Sequence, residues 1–283
     1  MWKQKLGMSL CTRQQATTEE ALETVRMVKA AGFDAVSPEW NPAVGLDKVI
    51  ALAQELGLEI QSLHGPFDHV DTLWSRDGKV SGPALKETLD ALDDCRRLGI
   101  PIMVLHAWIG FGYTFEGDSL YFGNFDTIVE KAEEYGVQIA FENTEGIEYL
   151  FALMDHYRDR PSVGYCWDSG HELCYNQPLD LLAELGDRLI MTHINDNLGV
   201  SRFDGVIYWT DDLHLLPYDG IADWDYNIKR LRKSRHMDIL NFEVSTRSKP
   251  NRHENDIYVQ MGYAQYYAEA YKRACRIAFK YSK

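Results

Sequence analysis

The chain has 283 residues, of which 45% are hydrophobic and 25% are charged, with a formal net charge of −14 at pH 7. This composition is that of a globular protein, and the negative charge argues against a protein that binds nucleic acid by attracting phosphates. No apolar run reaches the roughly 20 residues that span a bilayer, and the five scattered cysteines include no Cys-x-x-Cys pair, so we expect a soluble cytoplasmic protein.

Five helix-patterned segments end in a glycine and are followed within one or two residues by a strand-patterned segment. The junctions read AAGFDAV, ELGLEI, RLGIPIMV, EYGVQIA and ELGDRLI, which places Gly32, Gly57, Gly99, Gly136 and Gly186 just after helix ends. Glycine tolerates the left-handed conformation that ends a helix, so each junction predicts a helix followed directly by a strand. Thr17 and Glu20 have the spacing of a capping box that starts the first helix.

Eight strands are predicted, at residues 6–11, 33–39, 58–64, 100–106, 137–142, 163–168, 189–194 and 239–244. They are short continuous apolar runs, as expected for a parallel sheet that is buried on both faces. Eight repeated βα units predict one α/β domain, a (β/α)8 TIM barrel over residues 1–283. A doubly wound open sheet is the alternative, but it normally has a glycine-rich turn after its first strand, where this chain reads SLCTRQQATT.

Side chains of metal-binding type stand at the ends of most of these strands. The segments LHGPF, VLHAW, AFENTEG, CWDSGHE, THINDN and NFEVS supply His64, His106, Glu142, Asp168, His171, His193 and Glu243. A single histidine at such a position more often caps a loop or bonds a neighbour. However, the strand ends of a barrel converge on one mouth, and several carboxylates crowded there repel one another unless a cation is bound. Carboxylate and imidazole ligands favour Mn²⁺, Mg²⁺, Co²⁺ or Zn²⁺.

These motifs, together with HLLPYDGIADW, resemble the xylose-isomerase-like barrel superfamily, which includes ketose epimerases, sugar-phosphate isomerases, inosose dehydratases and apurinic endonucleases. The resemblance extends over essentially the whole chain. It implies that Glu142, Asp168, His193 and Glu243 hold the metal, that both glutamates act as acid/base groups, and that His171 contacts the substrate. Epimerases commonly have an arginine shortly after the metal-binding histidine, but this chain reads HINDNLGV, so the resemblance does not imply the 3-epimerase subtype.

The segment DDLHLLPYDG also resembles the apurinic endonucleases, in which nine residues hold three zinc ions. That resemblance implies five candidates for additional metal or substrate binding, namely His64, His106, His171, Asp212 and His214. Many sugar-active relatives keep a similar segment, so it does not separate a nuclease from a sugar enzyme. A phosphate site at Ser245, Thr246, Arg247 and Lys249 is a further alternative to a solvated loop there.

Aromatic residues near the strand ends favour a sugar over DNA. They are Trp40, Trp108, Phe111, Tyr113, Trp167, Trp209 and Trp224. Aromatic faces suit the C–H faces of a sugar, whereas a DNA groove needs Lys and Arg, which residues 107–124 lack. Core or loop packing is the alternative role of each aromatic residue. We select Trp108 and His171 as substrate-binding residues.

We therefore expect a divalent-metal-dependent isomerase or epimerase that transfers a proton on a sugar or sugar phosphate through a metal-stabilised enediolate. A multi-zinc phosphodiesterase and a dehydratase of the inosose type are the alternatives. The expected partner is a small carbohydrate, and we expect no binding to nucleic acid or to a membrane. The sequence leaves open whether the protein forms a homo-oligomer.

Overall fold

The strands form the centre of the protein, whose computed structural model describes residues 4–10, 17–204 and 206–283. Nine strand segments lie within these ranges: β1 (Lys5–Leu10), β2 (Ala35–Pro38), β3 (Glu59–Ile60), β4 (Leu63–His64), β5 (Ile102–His106), β6 (Gln138–Glu142), β7 (Val163–Asp168), β8 (Leu189–His193) and β9 (Ile239–Phe242). The paired strands are parallel. Cys11, the last residue of the first predicted strand, lies outside the described residues, as do residues 12–16 of the turn that follows.

Helices connect the strands on the outside of the barrel. The α-helices of the described residues are α1 (Thr18–Ala31), α2 (Leu46–Glu55), α3 (Gly78–Leu98), α4 (Gly123–Tyr135), α5 (Ile147–His156), α6 (Ser169–Cys174), α7 (Leu181–Leu185), α8 (Trp224–Leu231), α9 (Asp256–Met261) and α10 (Tyr263–Tyr281). Short 3-10 turns span Val70–Trp74, Gly117–Ser119, Gly186–Arg188 and Trp209–Asp211. In the described part of the chain, no helix is both long and apolar enough to cross a membrane.

The strands close into a barrel along two seams. One hydrogen-bonded group contains β3, β2, β1 and β9, and the other contains β4 to β8 in order. At one seam the Trp40 N–H donates to the His64 carbonyl at 2.7 Å, and at the other the Ile194 N–H donates to the Asn241 carbonyl at 2.9 Å. The predicted (β/α)8 TIM barrel is therefore confirmed, and the strand predicted at 58–64 is divided into β3 and β4.

The predicted helix signals are confirmed with one exception. The Thr17 side chain accepts from the Glu20 N–H, and the Glu20 carboxylate accepts from the Thr17 N–H, which completes the capping box. Four of the five glycines after helices have φ between 69° and 114°. Gly186 is the exception, because its φ of −60° is helical and it begins a 3-10 turn that leads into β8.

The interior of the barrel differs between its two sides below the mouth. On β5 to β8 it is filled by apolar side chains, namely Val104, Ala140, Cys166, Ile190 and Met191. On the other side it contains Gly7 of β1, Gln61 directly after β3, and Asn241 of β9, and a Cβ at Gly7 would lie 2.8 Å from Asn241 Oδ1 and 2.9 Å from Gln61 Oε1. Glycine is therefore needed at position 7 to leave room for two amide side chains.

Candidate metal centre and cavity

The predicted ligands stand together because they occupy equivalent positions on parallel strands. His64, His106, Glu142, Asp168 and His193 are the last residues of β4 to β8, and Glu243 follows β9. The strand register places His106 beside Glu142 and Asp168 beside His193. Since the carboxyl ends of barrel strands face one mouth, residues far apart in the chain become neighbours there.

Four of these residues form a compact group. Each of Glu142, Asp168, His193 and Glu243 offers a ligand atom, and these atoms all lie within 4.8 Å of one another. His193 Nδ1 is 3.1 Å from Glu142 Oε1 and 3.1 Å from Glu243 Oε2. Both Glu142 oxygens and His193 Nδ1 are buried without a hydrogen-bond partner, because these contacts lack hydrogen-bond alignment. Such unpaired atoms are costly unless a cation binds them, so the group fits a divalent ion.

The electrostatics of the group depend on its histidines. Burial alone would raise the pKa of Glu142, but the neighbouring His193 and His171 hold it well below its usual value. Burial would also raise the pKa of Glu243, but its neighbouring histidines, His193 first and then His214, together lower it to about 2. For Asp168 burial dominates and raises the pKa to about 6. Protonated imidazoles thus compensate the carboxylates, and a divalent cation would compete with those protons.

The remaining predicted residues surround this group. His64 Nε2 and His106 Nε2 lie 3.4 and 3.6 Å from Glu142 Oε2. On another side, Asp212 Oδ1 is 2.9 Å from His214 Nε2 and 3.4 Å from His171 Nε2. Two further sets of three ligand atoms, one from His64, His106 and Glu142 and one from Asp168, His171 and His214, have the spacing to hold an ion. The structure therefore brings all nine predicted positions together.

A cavity of about 390 Å³ opens above these residues. Its apolar walls include Phe67, Ile109, Phe111, Tyr175 and Trp209. Two of the seven aromatic residues that the sequence placed near the mouth, Phe111 and Trp209, therefore line the cavity.

Trp108 is not among the residues that line this cavity. Its ring stacks on Tyr149 at a centroid distance of 4.1 Å, and its Nε1 donates to the Gly110 carbonyl. This position does not support the predicted substrate contact of Trp108. Trp167 and Trp224 are buried and donate to the carboxylates of Glu172 and Asp196, so they also act in the framework.

The comparison with known proteins agrees with this fold. Residues 25–261 match the family described as the xylose isomerase-like TIM barrel. The chain belongs to that family. Uncharacterized protein y4fM of Sinorhizobium fredii is 30% identical, over 94% of this chain and 91% of its own length. The resemblance recognised in the motifs is thereby confirmed.

Two solved structures have the same fold as this member of the family. The IolI protein with a bound zinc atom has a TM-score of 0.76 and 17% identity, and the alignment covers 97% of this chain and 98% of that chain. D-allulose 3-epimerase from Methylomonas sp., in complex with D-allulose, has a TM-score of 0.70 and 15% identity, with coverage of 97% and 98%. At such identities the similarity shows the fold.

Two asparagines that the sequence analysis missed hold the ligands in place. Asn143 Oδ1 accepts from the Asp168 N–H at 2.8 Å, and its carbonyl contacts His171 Nδ1 at 2.9 Å. Asn195 Nδ2 donates to Asp168 Oδ2 at 2.8 Å. Such contacts orient metal ligands and set the tautomer of a histidine. Both asparagines could have been found from their closeness in sequence to a predicted ligand, because Asn143 directly follows Glu142 and Asn195 lies two residues after His193.

Asp196 connects two of the motifs that carry the family resemblance, HINDN and HLLPYDGIADW. Its carboxylate accepts four hydrogen bonds of 2.8–3.0 Å, from the N–H groups of Asn197, Tyr218 and Ala222 and from Trp224 Nε1. HINDN and PYDGIADW are therefore one structural unit. This unit fixes the end of the loop that carries Asp212 and His214 to the mouth.

Two further carboxylates line the cavity that the sequence analysis did not select, Glu39 and Glu145. Glu39 directly follows β2, so the rule that selected the other strand ends also applies to it. Glu145 lies in the turn after β6 and is 8% exposed. Nothing in the strand pattern indicates that its side chain faces the cavity, because a loop has no fixed alternation of side-chain direction.

Proposed function

We propose that the protein is a divalent-metal-dependent isomerase or epimerase of a sugar, with Glu142 and Glu243 as its acid/base groups. The observation that carries the proposal is the group of Glu142, Asp168, His193 and Glu243 at the base of a cavity, with buried ligand atoms that lack partners. A zinc atom in the IolI structure and D-allulose in the epimerase structure support the same kind of site on the same fold.

The chemistry follows from what these residues can do. The four residues named above would hold the ion, which supplies a Lewis acid that polarises a substrate carbonyl. One of the two glutamates takes the proton from the carbon beside the carbonyl, and the other returns a proton to the substrate. His64, His106 and His171 line the cavity and would bind substrate hydroxyls, while Phe67 and Phe111 would cover apolar faces of the substrate.

A multi-zinc phosphodiesterase is the second candidate, because eight of the nine predicted residues fall into groups with the spacing to hold an ion, and the ninth, Asp212, contacts His171 and His214. Charge counts against it. Lys249 is the one lysine or arginine that the described residues contribute to the cavity wall, and its Nζ lies 3.1 Å from Asp212 Oδ2. A phosphodiester would meet several carboxylates and one already paired lysine. We therefore prefer the sugar enzyme.

The proposal is tested with protein that is stripped by a chelator and reloaded with Mn²⁺ or Zn²⁺. Elemental analysis of wild type and Asp168→Asn, and turnover of free and phosphorylated ketoses in deuterated water, are measured in parallel. We expect only the wild type to bind the metal tightly. We also expect its product to contain deuterium at the carbon beside the carbonyl. Product analysis separates a dehydratase, which loses water, from an isomerase. Equal metal content in both proteins would exclude the proposed ligand set.

A further inference from the structure

Glu145 is a carboxylate on the cavity wall that is not part of the metal groups described above. Its side chain is 8% exposed and lines the cavity beside Thr144 and Tyr175. A carboxylate this deeply buried loses most of its hydration, which is costly unless donors replace the water. Hydrogen-bond donors must therefore replace the lost water around the Glu145 carboxylate.

The loop around Glu145 holds the carboxylate in one place. Glu145 Oε1 accepts from the Gly110 N–H at 2.6 Å, and the Glu145 carbonyl accepts from the Tyr113 hydroxyl at 3.1 Å. Thr144 Oγ1 donates to the Trp108 carbonyl at 2.9 Å. Gly146 packs so closely that a Cβ there would lie 2.3 Å from Trp108 Cβ. The turn after β6 and the loop after β5 are thus bonded together with this carboxylate between them.

The protein donors that reach the Glu145 carboxylate are neutral. They are the backbone N–H groups of Gly110 and of Glu145 itself, and burial outweighs them, so that the pKa of Glu145 is raised. A buried carboxylate that is paired with a protein cation, such as Glu172 with Arg230, has a structural role and needs no ligand. Glu145 instead keeps acceptor capacity on the side that faces the cavity.

We propose that Glu145 is a further substrate-contacting residue, whose carboxylate accepts a hydrogen bond from a hydroxyl group of the sugar in the cavity. This inference rests on the proposed function and adds to it the group that selects a neutral, hydroxylated end of the ligand. A hydroxyl can donate to the acceptor capacity that the Gly110 N–H leaves on this carboxylate, whereas a phosphate or a second carboxylate would be repelled.

The test compares Glu145→Gln with Glu148→Gln in metal-loaded protein. Glu148 is a matched control, since its exposed carboxylate accepts from the same Tyr113 hydroxyl at 2.6 Å but does not line the cavity. Titration calorimetry with D-fructose and its monodeoxy analogues measures affinity, and elemental analysis measures bound metal. A hydrogen bond to a charged group corresponds to a loss of about 10- to 100-fold in affinity.

We expect Glu145→Gln to lower the affinity for D-fructose by that factor while its metal content stays unchanged. Glu148→Gln should bind D-fructose as the wild type does. The one analogue that lacks the contacted hydroxyl should bind the wild type and Glu145→Gln equally. A loss of the same size for every analogue would indicate a merely structural role and would overturn the proposal. Unchanged affinity across the whole series would overturn it as well.

A crystal structure of the metal-loaded protein soaked in sorbitol separates this inference from the proposed function. If no ketose is bound or turned over, the proposed function fails. A sorbitol hydroxyl within hydrogen-bond distance of the Glu145 carboxylate would then still support the contact. Sorbitol bound elsewhere in the cavity, or absent from it, would contradict it.

Discussion

Two buried clusters of charged side chains, one around Glu172 and one around Glu142, differ in how the protein satisfies them. Glu172 is 2% exposed and accepts two hydrogen bonds of 2.8 Å from Arg230, one from Trp167 Nε1 and one from the Leu181 N–H. Glu142 at the mouth is 0% exposed, and neither of its oxygens has a hydrogen-bond donor. The protein supplies all the hydrogen-bond donors that Glu172 needs, but it supplies none to Glu142.

The difference separates two roles that look alike in sequence. Asp168 and Glu172 are four residues apart in WDSGHE, and both are buried carboxylates. Arg230 carries a permanent charge, so it makes Glu172 part of the framework between α6 and α8. The carboxylates at the mouth are compensated by histidines, whose protons can be exchanged for a metal ion. Glu172, whose two oxygens are both satisfied by protein donors, has a structural role, whereas Glu142, which has no donor and lies beside a cavity, is suited to bind a ligand.

The largest effect is expected for Glu142→Gln. The substitution removes a carboxylate from the metal group and a proposed acid/base residue, so turnover should fall by about 100- to 10,000-fold and bound metal should decrease. In the presence of a chelator the variant should unfold earlier than the wild type, because the histidines that lower the pKa of Glu142 lose their ionised partner. Elemental analysis, kinetics and thermal unfolding test this. A variant that retains metal and activity would remove Glu142 from the site.

Glu172→Gln should lower the stability of the protein without lowering its metal content. It removes one of the two carboxylates paired with Arg230 and leaves Asp180, so the loss should stay below the about 3–5 kcal/mol of unfolding free energy that breaking a buried pair outright costs. Metal content and the affinity for a bound ketose should stay at the wild-type level, because the cluster lies outside the mouth. Denaturant unfolding with and without metal measures both quantities. Loss of metal without loss of stability would contradict the comparison.

Gly220→Ala should give an intermediate effect. A Cβ at position 220 would lie 2.2 Å from Asp196 Oδ1 and 2.3 Å from the Asn197 carbonyl oxygen, so the loop must shift, at about 1–3 kcal/mol. Gly82→Ala is the control, since that glycine is inside α3 with nothing within 4 Å of its Cβ position. The control should change the stability by less than about 1 kcal/mol, because the helical gain of alanine over glycine is opposed by the restriction on a residue that precedes Pro83. A neutral Gly220→Ala would show that the Asp196 unit tolerates rearrangement.

Among the ligand-type residues at the mouth, the smallest effect is expected for His106→Ala. If His106 binds substrate hydroxyls, turnover should fall by about tenfold, the loss of one hydrogen bond, while one tightly held metal per chain remains. A drop in metal content, together with salt-dependent binding and cleavage of DNA that contains an abasic site, would favour the multi-zinc nuclease. Elemental analysis and a DNA-binding titration at several salt concentrations distinguish these outcomes.

The sequence by itself determined the barrel, the capping box of α1 and the residues at the strand ends. These inferences succeeded because they depend on local rules, namely apolar runs for buried parallel strands and glycine after helices, together with one global constraint. The carboxyl ends of all barrel strands face the same mouth, so a residue such as Glu142 or His193 needs no further information to be assigned there.

Only the tertiary structure decided what the loops do. Trp108 stacks on Tyr149, and Glu145 faces the cavity, although both lie a few residues beyond a strand end. Gly186 is helical although its segment matches the other junctions. The direction of a side chain in a loop depends on contacts with distant segments, such as those between Gly110 and Glu145 or between Asp196 and Trp224. Those contacts exist only once the chain has folded, and no periodicity in the sequence specifies them.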